Sequence, residues 1–188
     1  MRALLPAALA LGLGCATYRG PFRPFDPASL RAEPGWVFAP GVHLVRQAEA
    51  RDCGPAALAM VLGSAGMSTS REQLAGRLVA VERGAAAGEL RDLARAVGAR
   101  AFLVHGEVSD LRRELSAGRP ALVGLAKRNG GRRVLLHYEV VVGLHEASGR
   151  VATFDPGAGP RQAPLEGFLG EWSPTGRLLL VVMANPEQ

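Results

Sequence analysis

The order of periodicities along the chain constrains its fold more than any other feature. Helical spacing of apolar residues dominates up to about residue 118, and β-rich runs dominate after it. Residues 52–64 are almost wholly apolar after Pro55, which predicts a buried helix with proline in its first turn. Ser70 and Gln73 form a capping box ahead of Leu74, Leu78 and Val81. Residues 89–97 place Leu90, Leu93, Ala94 and Val97 on one face and stop at Gly98, and residues 109–117 repeat the device with Leu111, Leu115 and Gly118. Strands are predicted at 101–104, 121–125, 134–144, 151–154 and 178–183, with breaks at Asn129-Gly130-Gly131, Ser148-Gly149 and Pro156-Gly157. Helices followed by strands give an α+β class, with an N-terminal helical part packed on a C-terminal antiparallel sheet. At 188 residues, with 48% hydrophobic and 21% charged residues, the chain has room for one globular core, placed at 42–184 with a short tail at 185–188.

The first residues read as an address rather than as fold. Met1-Arg2 is a positive start, residues 3–13 are apolar, and Gly12-Leu13-Gly14-Cys15 is a small-residue stretch ending in cysteine. This resembles a bacterial lipoprotein signal, with residues 1–14 removed and lipid attached to Cys15. Gly12 stands where that pattern favours leucine, so plain secretion after Ala8-Leu9-Ala10 is the alternative. The apolar run is too short to span a bilayer as a helix. The expected location is the cell envelope, lipid-anchored and facing periplasm or exterior. Residues 15–41 carry Pro21, Pro24, Pro27, Pro34 and Pro40 and read as an extended tether or edge-packed spacer, not a helix or central strand. The net charge of +5 comes from arginines scattered along the chain, with Lys127 the only lysine and aromatics at 5%. That pattern fits a solvated surface and argues against nucleic-acid binding, which concentrates basic and aromatic residues on one element.

Once Cys15 is lipidated, Cys53 is the remaining thiol, and either an inert core cysteine or a nucleophile would explain it. It opens the predicted buried helix, with Gln47 six residues upstream. A helix N-terminus offers unpaired N–H groups and partial positive charge. With an adjacent imidazolium it brings a thiol pKa from about 8.5 to between about 3.5 and 7.5. Of His43, His105, His137 and His145, only His137 falls inside a long apolar run, where a polar ring is costly without partners. His43 and His105 lie at element edges, and His145, beside Glu146 in a predicted turn, is expected to be solvated. Phe154-Asp155-Pro156-Gly157 ends a strand with an acid that can hold the tautomer of His137 and also initiate a turn. A Cys-His-Asp nucleophilic set follows. A three-ligand zinc site from Cys53, His137 and Asp155 accounts less well for the helix-start cysteine, so no metal or cofactor is expected.

Gln47 through Leu62, the run Leu136-His137-Tyr138-Glu139-Val140-Val141-Val142, and Phe154-Asp155-Pro156-Gly157 together resemble the bacteriocin-processing, double-glycine leader peptidases. The likeness covers roughly residues 42–182. It implies a papain-like cysteine peptidase fold, with Cys53 as nucleophile, His137 as general acid/base, Asp155 as its orienter and Gln47 as side-chain donor to the oxyanion hole. The implied partner is a peptide or protein substrate. Three departures accompany the resemblance. The chain has no phosphate-loop Gly-Lys-Ser/Thr, so any transport belongs to separate export machinery. Glu139 occupies a usually apolar place, and strand alternation directs it to the face of His137, where its charge would perturb the base. The export signal puts the chain outside the cytoplasm. Gly130-Gly131, the kind of pair such peptidases cut after, is assigned to a hairpin turn. The rival to a peptidase is a catalytically silent peptidase-like module that grips a peptide in the cell envelope.

Overall fold

The computed structural model describes residues 22–78, 84–129 and 133–186. The signal, Cys15, Val81 and Gly130-Gly131 lie outside the described residues. The architecture is α+β, built on one antiparallel sheet with helices on both faces. Its path runs β1-β7-β6-β5-β4-β8-β3, with β2 paired to β5 off that path. The strands are β1 (Arg23–Pro24), β2 (Val37–Phe38), β3 (Arg100–His105), β4 (Ala121–Asn129), β5 (Arg133–His145), β6 (Arg150–Asp155), β7 (Gly159–Pro164) and β8 (Leu178–Met183). The helices are α1 (Pro27–Ala32), α2 (Cys53–Ser64), α3 (Arg71–Ala75), α4 (Ala87–Ala96), α5 (Val108–Ser116) and α6 (Leu165–Trp172).

Alternation along the strands explains the two helical layers. Leu122, Tyr138, Val140, Val142, Leu180 and Val182 face a core shared with α2, α3 and α4. Their neighbours Ala121, Val123, Leu125, Val141, Leu179 and Val181 face a second core shared with α5 and α6. Strands covered on both faces need apolar residues at every position, hence the near-continuous runs in β4, β5 and β8.

Helix α2 is buried along Cys53–Leu62 and lies on β5. Its second residue must be small: a Cβ at Gly54 would stand 3.2 Å from the Ala85 Cβ and 3.3 Å from the Leu90 methyls. The Ser70–Gln73 capping box forms, but α3 ends at Ala75, so of the two described residues of the expected stripe Leu74 is helical and Leu78 packs on the core from beyond the helix. Helix α5 begins at Val108 rather than at a Ser109 cap, because the Asp110 carboxylate accepts from the Glu107 N–H at 2.8 Å. Gly98 and Gly118 follow α4 and α5 with φ of +97° and +74°, a left-handed conformation that suits glycine.

The Pro-rich segment takes the edge-packed one of its two expected forms and departs from it in holding a helix. From Phe22 onward it is built into the sheet: β1 pairs with β7, and β2 pairs with β5 at Val37–Leu144 and Phe38–Gly143. Between them α1 forms a single short helix, with Pro27 at its start and the Asp26 carboxylate accepting from the Ala28 N–H at 3.1 Å. Proline is tolerated in the first turn of a helix, and a spacer reading passes over that option. His145, expected in solvent, is buried beneath this arm. Its Nε2 lies 3.0 Å from the Pro34 carbonyl, its Nδ1 accepts from the Ser148 N–H at 3.2 Å, and its ring meets Trp36 edge-on at 5.5 Å.

Candidate active site

Cys53 is the first residue of α2 and is 7% exposed. His137 stands where β5 passes from exposed to buried: Leu135 and Leu136 are open to solvent, and Tyr138 and Glu139 are buried. The histidine itself retains 19% side-chain exposure. Its Nε2 donates to Asp155 Oδ1 at 2.9 Å, so Nδ1 is the ring nitrogen that Asp155 does not engage. Burial works against a charged ring, yet hydrogen bonds to Asp155 and Cys53 and the negative charges of Asp155 and Glu139 outweigh it, raising His137 to about 10. The ring therefore carries its proton across the neutral range.

Asp155, at the end of β6, is buried rather than turned toward solvent, and it serves both purposes expected of it. Oδ1 accepts from His137 and from the backbone N–H groups of Gly157 at 2.7 Å and Ala158 at 3.2 Å, so the same oxygen orients the imidazole and closes the Asp-Pro-Gly turn. Oδ2 accepts from Arg161 Nη1 at 2.7 Å. Burial opposes ionisation here, but the hydrogen bond and charge of His137, with those of Arg161 and Gly157, hold the carboxyl well below the usual range.

Gln47 is tied to the same turn. Its backbone N–H donates to the Pro156 carbonyl at 3.1 Å, and its Oε1, like Asp155 Oδ1, lies 3.4 Å from where a Cβ on Gly157 would be. That oxygen is buried and accepts no hydrogen bond among the described residues. The remaining histidines stand apart from this set: His43 is exposed, His105 Nδ1 lies 2.7 Å from the Gly176 carbonyl, and His145 sits under the arm.

Four residues around Glu139 escaped the sequence reading: Lys127, Thr153, Arg161 and Glu171. Glu139 points to the face of His137, as alternation requires, and is fully buried. Lys127, expected on the surface, is buried, with Nζ 2.8 Å from Glu139 Oε1 and 2.6 Å from Glu171 Oε2. Arg161 reaches Glu139 Oε1 at 3.6 Å, and the Thr153 hydroxyl donates to Glu139 Oε2 at 2.6 Å. The oxygens of Glu139 and Asp155 and a nitrogen of His137 lie within 4.8 Å of one another, a donor spacing that could suit a cation. Lys127 and Arg161 already supply the compensating charge, so the cluster is an ion-pair set. Parity offered a signal for Lys127, which shares a strand face with Val123 and Leu125. Spacing offered one for Glu171, one residue before Trp172 on a helix whose Leu165, Phe168, Leu169 and Trp172 are at helical intervals.

Comparison with known proteins bears on the family and the fold. No curated protein sequence matches the chain significantly. Solved structures do. One is a double-glycine-motif protease from an AMS/PCAT transporter in complex with the leader peptide, at 23% identity and a TM-score of 0.63, covering 79% of this chain and 94% of that one. Another is the peptidase domain of Streptococcus ComA, a bifunctional ABC transporter involved in a quorum-sensing pathway, at 25% identity, a TM-score of 0.62 and coverage of 76% and 100%. A third is a C39-like peptidase from Bacillus anthracis, at 18% identity, a TM-score of 0.66 and coverage of 80% and 98%. The papain-like fold is common to them. The sequence profile of the peptidase C39 family matches residues 41–186, so the chain belongs to that family and is a cysteine peptidase.

Proposed function

We propose that the protein is an exported, lipid-anchored endopeptidase of the bacteriocin-processing type, acting through Cys53, His137, Asp155 and Gln47. The observation that carries this reading is the 2.9 Å contact of the His137 imidazole with Asp155, with Cys53 at the start of α2 among the groups that raise the histidine. The proton held on His137 is the one that Cys53 gives up. The thiolate attacks the peptide carbonyl, and negative charge moves onto the carbonyl oxygen, where the Gln47 side-chain N–H and the Cys53 backbone N–H receive it. His137 then protonates the leaving amine, which departs and leaves a thioester on Cys53. Neutral His137 takes a proton from water, hydroxide adds to the thioester, and collapse returns the thiolate and the imidazolium. Asp155 keeps the ring in the correct tautomer throughout.

The likeness to a protease seen with its leader peptide supports a peptide substrate. The N-terminal signal and Cys15 support placement on the outer side of a membrane, where the substrate arrives through a separate exporter. The test incubates the full chain carrying C15S, with and without C53A, with a synthetic double-glycine leader peptide and an unstructured protein under reducing conditions. The C15S protein is expected to give defined fragments by mass spectrometry, and C15S/C53A none. If neither variant cuts and both bind the peptide equally, the protein is a binding module and the hydrolase assignment falls.

A further inference from the structure

A carboxylate beside a catalytic histidine needs an account, because Glu139 and Asp155 both lie within 4.8 Å of the ring nitrogen and of each other. Two like charges at that separation disfavour each other's ionisation. A residue that touches both carboxylates lies between them. Arg161 Nη1 is 2.7 Å from Asp155 Oδ2 and 3.6 Å from Glu139 Oε1. We infer that Arg161 is a positioning residue of this site: its guanidinium pins Asp155 in the orientation that His137 requires while cancelling the charge of Glu139, which lets an acid stand beside the imidazole. The inference rests on the peptidase reading above and deepens it.

The division of labour on Asp155 supports this role. His137 and the Gly157 and Ala158 amides all converge on Oδ1, and among the described residues Arg161 is the side chain bonded to Oδ2. Without it the carboxylate is held by one oxygen and is free to rotate about that contact. Arg161 comes from β7, a separate strand from β5 and β6, so it fixes the relative placement of His137 and Asp155 from outside the pair. Its guanidinium is stacked under Phe22, with Cζ 4.5 Å from the ring centre, and Lys127 Nζ lies 4.3 Å from the same ring. The arm therefore shields both cations from water, which strengthens their effect on the carboxylates. The charged and titratable groups that act on the histidine are Asp155 from β6, Cys53 from α2 and Glu139 on its own strand, while Lys127 from β4 and Arg161 from β7 meet Glu139, and Glu171 from α6 meets Lys127.

The test reads the thiolate directly and needs no natural substrate. In the full chain carrying C15S, Cys53 is the sole thiol, and its rate of alkylation by iodoacetamide is followed from pH 4 to 9. The parent is expected to label faster than a small free thiol at pH 6. R161Q is expected to slow that labelling about tenfold. E139Q/R161Q is expected to recover most of this loss, since removing the second carboxylate removes the need for the cation. A merely structural arginine would leave the double variant no better than R161Q. An R161Q profile that overlays the parent, or a double variant no better than R161Q, overturns the role of Arg161 and leaves the peptidase reading standing. A parent that titrates as a free thiol overturns both. If R161Q does not fold, R161K replaces it: the expected result is a smaller shift in the same direction, and an unchanged profile overturns the inference.

Discussion

Replacing Lys127 by Met isolates what the buried cation contributes. Lys127 Nζ stands about equally far from Glu139 Oε1, at 2.8 Å, and Glu171 Oε2, at 2.6 Å, and all three side chains are buried. Methionine keeps most of the volume and none of the charge. Glu139 would keep the Thr153 hydroxyl and the more distant Arg161, but Glu171 would lose its cation. At a separation of roughly 2.7 Å and an effective dielectric constant of about 20, each attraction is about 6 kcal/mol. The ammonium's own desolvation offsets much of that, as the lowered pKa of Lys127 registers, with burial its leading cause. Breaking one side of such a set costs about 3–5 kcal/mol net. For a chain of this size, about 2–4 °C of melting temperature per kcal/mol gives a fall of roughly 6–20 °C.

The pH dependence gives that fall a signature. Burial pushes the Glu171 carboxyl up to about 8 even with the ammonium 2.6 Å away, and removing that cation pushes it further in the same direction. A carboxyl whose folded pKa lies above its unfolded value near 4.3 binds extra protons in the folded state, so stability declines as pH rises from about 4.3 to 8. Melts followed by circular dichroism should therefore show K127M close to the parent at pH 5 and far below it at pH 8, and K127M/E171Q should recover part of the deficit at pH 8. A deficit under about 3 °C at pH 8, or one equal at both pH values, refutes the reasoning.

Two further outcomes follow from the site and the N-terminus. With His137 raised to about 10 and its unfolded pKa near 6.5, the stability from its bonds is full below about 6.5 and lost as pH climbs to 10. D155N should thus lower stability by about 1.5–3 kcal/mol near pH 6 and by less near pH 10, and a difference constant with pH in chemical denaturation would contradict it. C15S should move the expressed protein from the membrane fraction to the soluble fraction of a bacterial host and abolish incorporation of labelled palmitate, and unchanged fractionation would count against the anchor.

The parts of the fold that were legible carry apolar periodicity or glycine stops. Helices α2, α4 and α5 and strands β4, β5, β6 and β8 all do. Strand β7 does not, because its inward positions are Gly159, Arg161 and Ala163, and Pro160 and Pro164 read as breakers. The pattern fails there because a charged side chain occupies a core position. Cys53, His137 and Asp155 stood out as polar residues in apolar or turn settings, and the structure brings His137 and Asp155 into direct contact. Lys127 and Arg161 did not stand out, since long basic side chains are mostly exposed and only the tertiary fold supplies the partners that reverse this. The same holds for His145, whose partner Pro34 lies 111 residues away.

The stretch matched by the family profile starts at residue 41, whereas residues from Phe22 onward are already built into the sheet. A fragment trimmed to the match would lack Trp36, the ring over Lys127 and Arg161, and the two short strands that close β7 and the far end of β5. Its sheet would then present bare N–H and C=O groups at both places, a template for edge-to-edge aggregation beside an unsealed site. The nineteen residues before the family match are thus as much a part of the domain as the helix that opens with Cys53.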